Sequence, residues 1–152
     1  MKIKKLLPIL SVTIALAFYG CKKSNPAPKV SNLVTFTLQG QKYTVNTTFL
    51  VTVQSTNNLN ISCVNQGGPG ANILIYNYQQ GTNFSLYEQS YVNLETSNTS
   101  GNSYSCDKGQ LTISSLTQTH ISGTFSGTAV KVGDNTYTEI PVSGAFDADI
   151  PQ

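Results

Sequence analysis

The sequence predicts an all-β fold, an antiparallel β-sandwich or β-barrel of about 8–10 strands. Apolar residues recur at every second position through most of the chain after residue 33, as they do in strands that bury one face. Short clusters of Gly, Asn, Ser and Pro interrupt these stretches, as turns would. After residue 20, no stretch has the i, i+3, i+4 spacing of apolar residues that an amphipathic helix requires.

The alternation is clearest in the last third of the chain, where Phe125 and Phe146 each share a strand face with glycines two residues away. The segment 43–53 is either one long strand or two short ones with a bulge near Asn46. The region 97–103 is the most polar stretch and is predicted to be a loop. The predicted strands are 34–38, 43–53, 59–63, 73–76, 84–87, 91–94, 111–115, 121–129 and 142–150.

The first 20 residues have the pattern of a signal peptide. Residues 1–5 are short and basic, and residues 6–20 are apolar and uncharged. The apolar run is shorter than the roughly 20 residues of a transmembrane helix. Gly20 is followed directly by Cys21, which resembles a bacterial lipobox, where the thiol is acylated and the chain is cut before the cysteine. The alternative is a cysteine that merely follows a signal peptide.

Acylation of Cys21 would tether the chain to a lipid bilayer, because each buried CH₂ of a fatty chain such as palmitate contributes about 0.8 kcal/mol. Residues 21–32 contain two prolines and three lysines and little to bury, so they are predicted to be a flexible tether. Residues 33–152 have the length of a single domain.

The net charge argues against nucleic acid as a partner. The chain has no arginine, and three of its nine lysines lie in the predicted signal peptide. After residue 20 the chain has six lysines and seven acidic residues, so the net charge of the mature protein is close to zero and that of its β domain is negative. A domain that binds phosphate backbones needs a basic surface, which this composition does not supply.

Three short segments carry a family resemblance. The stretches 121–127 (ISGTFSG) and 142–146 (VSGAF) resemble the C-terminal strand pair of small all-β lipoproteins from Bacteroidota, and 38–44 (LQGQKYT) resembles their opening hairpin. That family has no known function, so the resemblance implies a fold and a location at the outer membrane, and no active site. The acidic residues that follow the lipid cysteine in surface-exported members are absent, which favours the periplasmic face.

The remaining cysteines and the histidine give no strong chemical signal. Cys63 and Cys106 form either one disulfide, as an even number in an oxidising compartment allows, or two reduced buried thiols. His120 is expected at the surface at the end of a strand. Asp147 and Asp149 share one strand face and are expected to be solvated acids. No metal site is expected, since the chain has one histidine and no Cys-x-x-Cys, and no cofactor motif is present.

Tyr76 and Tyr78 are the best functional lead. They are predicted to alternate on one strand face beside Asn77, Gln79 and Gln80, where aromatic rings would stack on sugars and amides would bind hydroxyls. The alternative is ordinary packing of tyrosines at strand ends.

The sequence therefore favours a non-enzymatic, membrane-anchored lipoprotein that serves as a binding or structural module at the cell envelope, with an envelope protein or glycan as partner. The first alternative is a carbohydrate-binding or adhesion accessory. The second is a hydrolase or inhibitor without a recognisable motif.

Overall fold

The computed structural model describes residues 32–46, 49–55, 57–65, 67–97, 99 and 101–151 of the chain. The predicted signal peptide, Cys21 and the predicted tether as far as residue 31 lie outside these residues. Within the described part of the chain, there is no helix with the length and apolar character needed to cross a membrane.

The described residues form ten strands in one sheet, which confirms the predicted all-β fold. Every pairing between strands is antiparallel. The strands are β1 (Leu33–Leu38), β2 (Gln41–Val45), β3 (Phe49–Ser55), β4 (Asn58–Val64), β5 (Gly70–Ile75), β6 (Asn83–Ser85), β7 (Ser90–Glu95), β8 (Ser103–Leu116), β9 (His120–Lys131) and β10 (Ile140–Asp149). Their order across the sheet is β2-β1-β10-β9-β8-β7-β5-β4-β3, and β6 pairs with β8 beside β7.

One face of this sheet supplies the core. Along β1, Val34, Phe36 and Leu38 are buried, whereas the residues between them are partly exposed. A single sheet buries one face by curling around it, and β3 at one end of the strand order comes close to β10. The largest fully buried side chains are Phe36, Phe125, Leu38, Leu59, Ile61, Ile73, Ile75, Leu94, Leu111, Ile121, Val34 and Val45.

The segment that the sequence left open as one strand or two is two strands. β2 pairs with β1 at one edge of the sheet, and β3 pairs with β4 at the other. The alternation of apolar residues in the sequence runs through residues 43–53 without a break. The pattern of the sequence therefore gave no sign that the chain crosses from one edge to the other.

β8 and β9 approach each other closely where two glycines are paired. Gly109 lies opposite Gly127, and a Cβ added to either would overlap the backbone of the other strand. Gly109 also has a φ of +130°, which side chains other than glycine rarely adopt. β8 is bulged between Cys106 and Lys108, next to this pair. Bulges increase local twist, so they help this long strand to follow the curl of the sheet.

β9 and β10 are joined by two phenylalanine–glycine pairs. Phe125 lies opposite Gly144, and Phe146 lies opposite Gly123. A Cβ on Gly144 would overlap the Phe125 ring, and one on Gly123 would overlap the Phe146 ring. Each ring therefore covers the glycine of the other strand, which explains why the two short motifs both combine Gly and Phe at a spacing of two.

The two ends of the curled sheet differ in what they carry. At the end called here the near end, Asn32 and Asp149 are hydrogen-bonded, and the Ile150 N–H donates to the Thr119 carbonyl at 2.8 Å. The turn at residues 76–82 lies at this end too. The opposite, far end carries the β9–β10 loop at residues 132–139.

Candidate ligand-binding site

The turn at residues 76–82, which links β5 to β6, is held in place by backbone hydrogen bonds to two neighbouring segments. The Tyr76 N–H donates to the Gln89 carbonyl at 3.0 Å, and the Tyr78 N–H donates to the Asn57 carbonyl at 3.0 Å. Because both bonds fix the backbone, the side chains of this turn are presented in a defined arrangement.

The predicted placement of Tyr76 and Tyr78 on one strand face is wrong. β5 ends at Ile75, and Asn77 has a φ of +50°, a left-handed conformation that Asn adopts more readily than most residues. The chain therefore turns, and the two tyrosines face different surroundings. Tyr78 is buried, and its hydroxyl oxygen accepts a hydrogen bond from Gln79 Nε2 at 3.0 Å, whereas 37% of Tyr76 is exposed.

A cleft of about 680 Å³ opens on one side of this turn, at the near end of the sheet. Its size lies within the range of about 300–1,000 Å³ typical of small-molecule sites. Its walls combine apolar and uncharged polar groups. We call it the end cleft, and it is lined by Tyr78, Gln79, Leu116, Thr117, Gln118 and Ile150.

Two further cavities lie along the same turn. The middle cavity, of about 350 Å³, shares Gln79 and Leu116 with the end cleft, and its other lining residues include Gln80, Gly81, Thr82 and Ser114. The tyrosine cavity, of about 240 Å³, shares Gln80 and Gly81 with the middle cavity. The other lining residues of the tyrosine cavity include Tyr76, Asn77, Asn83, Glu88 and Gln89.

Two more tyrosines, Tyr87 and Tyr91, flank in the chain Glu88 and Gln89, which line the tyrosine cavity. Tyr91 lies opposite Leu74, two residues before Tyr76. Tyr87, in the turn before β7, is 64% exposed, and its ring centroid lies 6.5 Å from that of Tyr91. Tyr87 has a φ of +79°, which is rare for a residue with a bulky side chain. Backbone strain of this kind concentrates at ligand sites.

The lining of these cavities is almost free of charge. Among the described residues that line the three cavities, Glu88 is the one Asp, Glu, Lys, Arg or His. The polar groups are amides and hydroxyls, which both donate and accept hydrogen bonds. This arrangement suits an uncharged ligand that carries many donors and acceptors.

A second cluster of polar residues lies on the outer face of β9 and β10. His120 Nδ1 lies 3.1 Å from Asp149 Oδ1, and His120 Nε2 lies 3.4 Å from Asp147 Oδ1. The side chain of Asn32 donates to Asp149 Oδ2 at 3.4 Å and accepts from the Asp149 N–H at 2.9 Å. Both ring nitrogens of the histidine are therefore engaged by carboxylates.

Sequence reasoning missed this cluster. The shared face of Asp147 and Asp149 and the exposure of Asp149 are as expected, whereas the side chains of Asp147 and His120 are largely covered, and both carboxylates lie next to the histidine ring. The missing information was the register, in which the first residue of β9 lies opposite the last residue of β10. Within the described part of the chain, no three His, Cys, Asp or Glu side chains are arranged to hold a metal ion.

Cys63 and Cys106 are free and buried, so of the two alternatives for this pair the structure has the reduced thiols and not the disulfide. The Cys63 thiol donates to the Ala71 carbonyl at 3.3 Å. Burial raises the pKa of Cys63 to about 11 and, together with the charge of Asp107, that of Cys106 to about 12. Because thiol–disulfide exchange requires a thiolate, both cysteines are poor nucleophiles in the folded protein.

These raised pKa values predict a loss of stability in alkaline solution. An unfolded thiol has a pKa of about 9, so the folded state holds the proton more tightly than the unfolded state. Stability is unaffected by the thiols below about pH 9 and falls between pH 9 and pH 11, by about 1.4 kcal/mol per pH unit for each thiol. Urea unfolding from pH 8 to pH 11 measures this slope. The double variant Cys63→Ala/Cys106→Ala is expected to show a shallower slope, and equal slopes would contradict the assignment.

Comparison with known proteins adds no relative. No protein-family model matches the chain. Neither the curated proteins nor the solved structures gave a match.

Proposed function

We propose that this protein is a lipid-anchored protein of the bacterial cell envelope whose β domain binds a ligand and catalyses no reaction. The observation that carries the binding role is the row of three adjoining cavities along the turn at residues 76–82. Their lining supplies hydrogen-bonding groups and an apolar floor, which are the usual components of a binding site.

The absence of catalysis is supported by the placement of the acid–base groups. His120, the chain's one histidine, has both ring nitrogens next to carboxylates on the outer face of the sheet. A general base needs a free nitrogen within reach of a substrate proton. Glu88, in the tyrosine cavity, has no second carboxylate among the described lining residues there, whereas glycoside hydrolysis uses a pair.

The anchoring role is supported by the basic residues 1–5, the apolar run 6–20 and the Gly20–Cys21 junction. The proposed location is the outer membrane, with the periplasmic face favoured. The tether that ends at residue 32 joins the domain at its near end, through the hydrogen bonds between Asn32 and Asp149.

Substitution of the proposed lipidated residue tests the anchor. We expect the full chain, expressed in a bacterium with a lipoprotein pathway, to enter the detergent phase and to give an acylated N-terminal peptide that begins at Cys21. The Cys21→Ser variant is expected to remain unacylated and to lose detergent partitioning. Cys63→Ala is the matched control, because it removes a cysteine that is not expected to be acylated. Unchanged partitioning of Cys21→Ser would contradict the anchor.

The binding role is measured separately, as a rise in melting temperature of the anchored protein in detergent. A ligand that binds only the native state stabilises it by mass action. We expect at least one class in a panel of neutral oligosaccharides and neutral peptides to raise the melting temperature. A panel without any effect would contradict the binding role and leave the anchor as a separate question.

A further inference from the structure

We infer that the turn at residues 76–82 is an oligosaccharide site, at which an uncharged sugar chain of several units lies across the tyrosine cavity, the middle cavity and the end cleft. This inference rests on the proposed binding role and names its ligand class.

The first support is the arrangement of the three cavities side by side. Gln80 and Gly81 line both the tyrosine cavity and the middle cavity, and Gln79 and Leu116 line both the middle cavity and the end cleft. The three cavities are therefore adjacent, and a ligand long enough to pass over the shared residues contacts more than one of them. Such a row suits an elongated ligand with repeating units better than one compact molecule.

The second support is the match between the polar lining and sugar hydroxyls. A hydroxyl both donates and accepts a hydrogen bond, and so do Asn and Gln amides and Ser and Thr hydroxyls. Amides are present in all three cavities, from Asn77 and Gln89 at one end to Gln118 at the other. Because the described lining residues include no Lys, Arg or His and one acidic residue, Glu88, ligands with phosphate or carboxylate groups are disfavoured.

The third support is the exposed aromatic surface. The flat apolar face of a sugar ring is covered with C–H groups, and it packs against the face of an aromatic side chain. Tyr76 lines the tyrosine cavity and is 37% exposed, and Tyr87, which precedes the lining residue Glu88 in the chain, is 64% exposed. Each offers an apolar ring with a polar tip, which is the property that places tyrosine at binding surfaces.

The fourth support is the fixed geometry of the two turns that form the tyrosine cavity. Asn77 and Tyr87 are both in the left-handed conformation, and one backbone hydrogen bond, from Tyr76 to Gln89, joins the two turns. The Tyr87 N–H also donates to the Ser90 carbonyl at 2.8 Å. A site that is already ordered loses less conformational entropy when a ligand binds.

The test is calorimetric titration of the detergent-purified full chain with ladders of neutral oligosaccharides, namely gluco-, xylo-, manno- and N-acetylchito-oligosaccharides of two to six units. For at least one ladder, we expect affinity to rise about tenfold or more from the disaccharide to the hexasaccharide, because longer chains occupy more of the cavities. An equal affinity for all lengths, or no binding by any ladder, would overturn the inference.

Matched variants locate the site. Tyr76→Ala and Gln80→Ala are each expected to weaken hexasaccharide binding about tenfold, whereas Tyr76→Phe retains it. The controls are Tyr137→Ala, which removes an exposed tyrosine at the far end, and Gln41→Ala, which removes an exposed glutamine from the edge strand β2. Equal losses in the controls would place the sugar elsewhere and overturn the inference. Circular dichroism of each variant confirms that it is folded.

The outcomes separate this inference from the binding role on which it rests. Binding of a neutral peptide with loss in Tyr76→Ala, and no binding of sugars, would overturn the sugar assignment and leave the binding role intact. Failure of both ligand classes would overturn both.

Discussion

Replacing Phe125 with alanine is expected to lower the free energy of unfolding by about 3–5 kcal/mol. The ring is 2% exposed and lies over Gly144 of the neighbouring strand. Its removal therefore leaves a cavity at the centre of the sheet, and the glycine beneath has no side chain to fill it. Urea unfolding followed by circular dichroism measures the change. We expect the midpoint urea concentration to fall, and the dependence of the free energy of unfolding on urea concentration to stay the same, since the folded and unfolded states keep their compactness.

The matched comparison for Phe125 is substitution of an aromatic residue at the surface. Tyr137→Ala, at a position that is 76% exposed, is expected to change stability by no more than about 0.5 kcal/mol. Phe125→Leu is expected to fall between the two, since leucine fills part of the volume. A cost below about 1 kcal/mol for Phe125→Ala would show that the ring is not packed as described.

The second large effect is expected at Gly127. A Cβ at this position would overlap the carbonyl oxygen of Lys108 in β8, and it would come within 2.8 Å of the Gly109 Cα. Because backbone and not a flexible side chain stands in the way, β8 and β9 must separate to admit it. We expect Gly127→Ala to lower the free energy of unfolding by about 3 kcal/mol, the upper part of the usual range for overpacking.

Gly81→Ala is the control for this substitution. The nearest atom to a Cβ at Gly81 is Phe84 Cζ at 3.9 Å, which is an ordinary contact, and the φ of Gly81 is not in the left-handed region. Gly81→Ala is therefore expected to be neutral or slightly stabilising, because alanine reduces the freedom of the unfolded chain. Equal stability of Gly127→Ala and Gly81→Ala would contradict the close approach of β8 and β9.

The faces of the strands could be predicted from the sequence, because alternation is a local property. Phe125 and Phe146 were assigned to faces that also carry glycines, and both rings are in the core. The reciprocal packing of these rings on Gly144 and Gly123 could not be predicted, since it depends on the register between two strands. For the same reason the contact of His120 with Asp149 could not be predicted, since Asp149 is 29 residues away at the end of β10.

The candidate site was predicted in part. Tyr76, Asn77 and Gln80 were singled out together, and they line one cavity. Tyr78 was misplaced because the predicted strand was continued past Ile75, where β5 ends. The backbone at Asn77 bends there, and nothing in the alternation of apolar residues records a φ angle. Gln118, Leu116 and Ile150 were not considered, because they reach the end cleft only through the folding of β8 and the C-terminus to the near end.

The hydrogen bonds between Asn32 and Asp149 bear on the distance between a bound ligand and the membrane, because they set the place where the tether joins the domain. They fix the point where the tether joins the domain at the same pole as the turn at residues 76–82. A fully extended peptide advances about 3.3–3.6 Å per residue, so the eleven steps between the twelve residues from Cys21 to Asn32 allow a height of roughly 40 Å at most. With Cys21 acylated as proposed, a sugar chain bound at the near end would stay within about that distance of the bilayer, whereas the loop at residues 132–139, at the opposite end of the sheet, would be able to lie farther away.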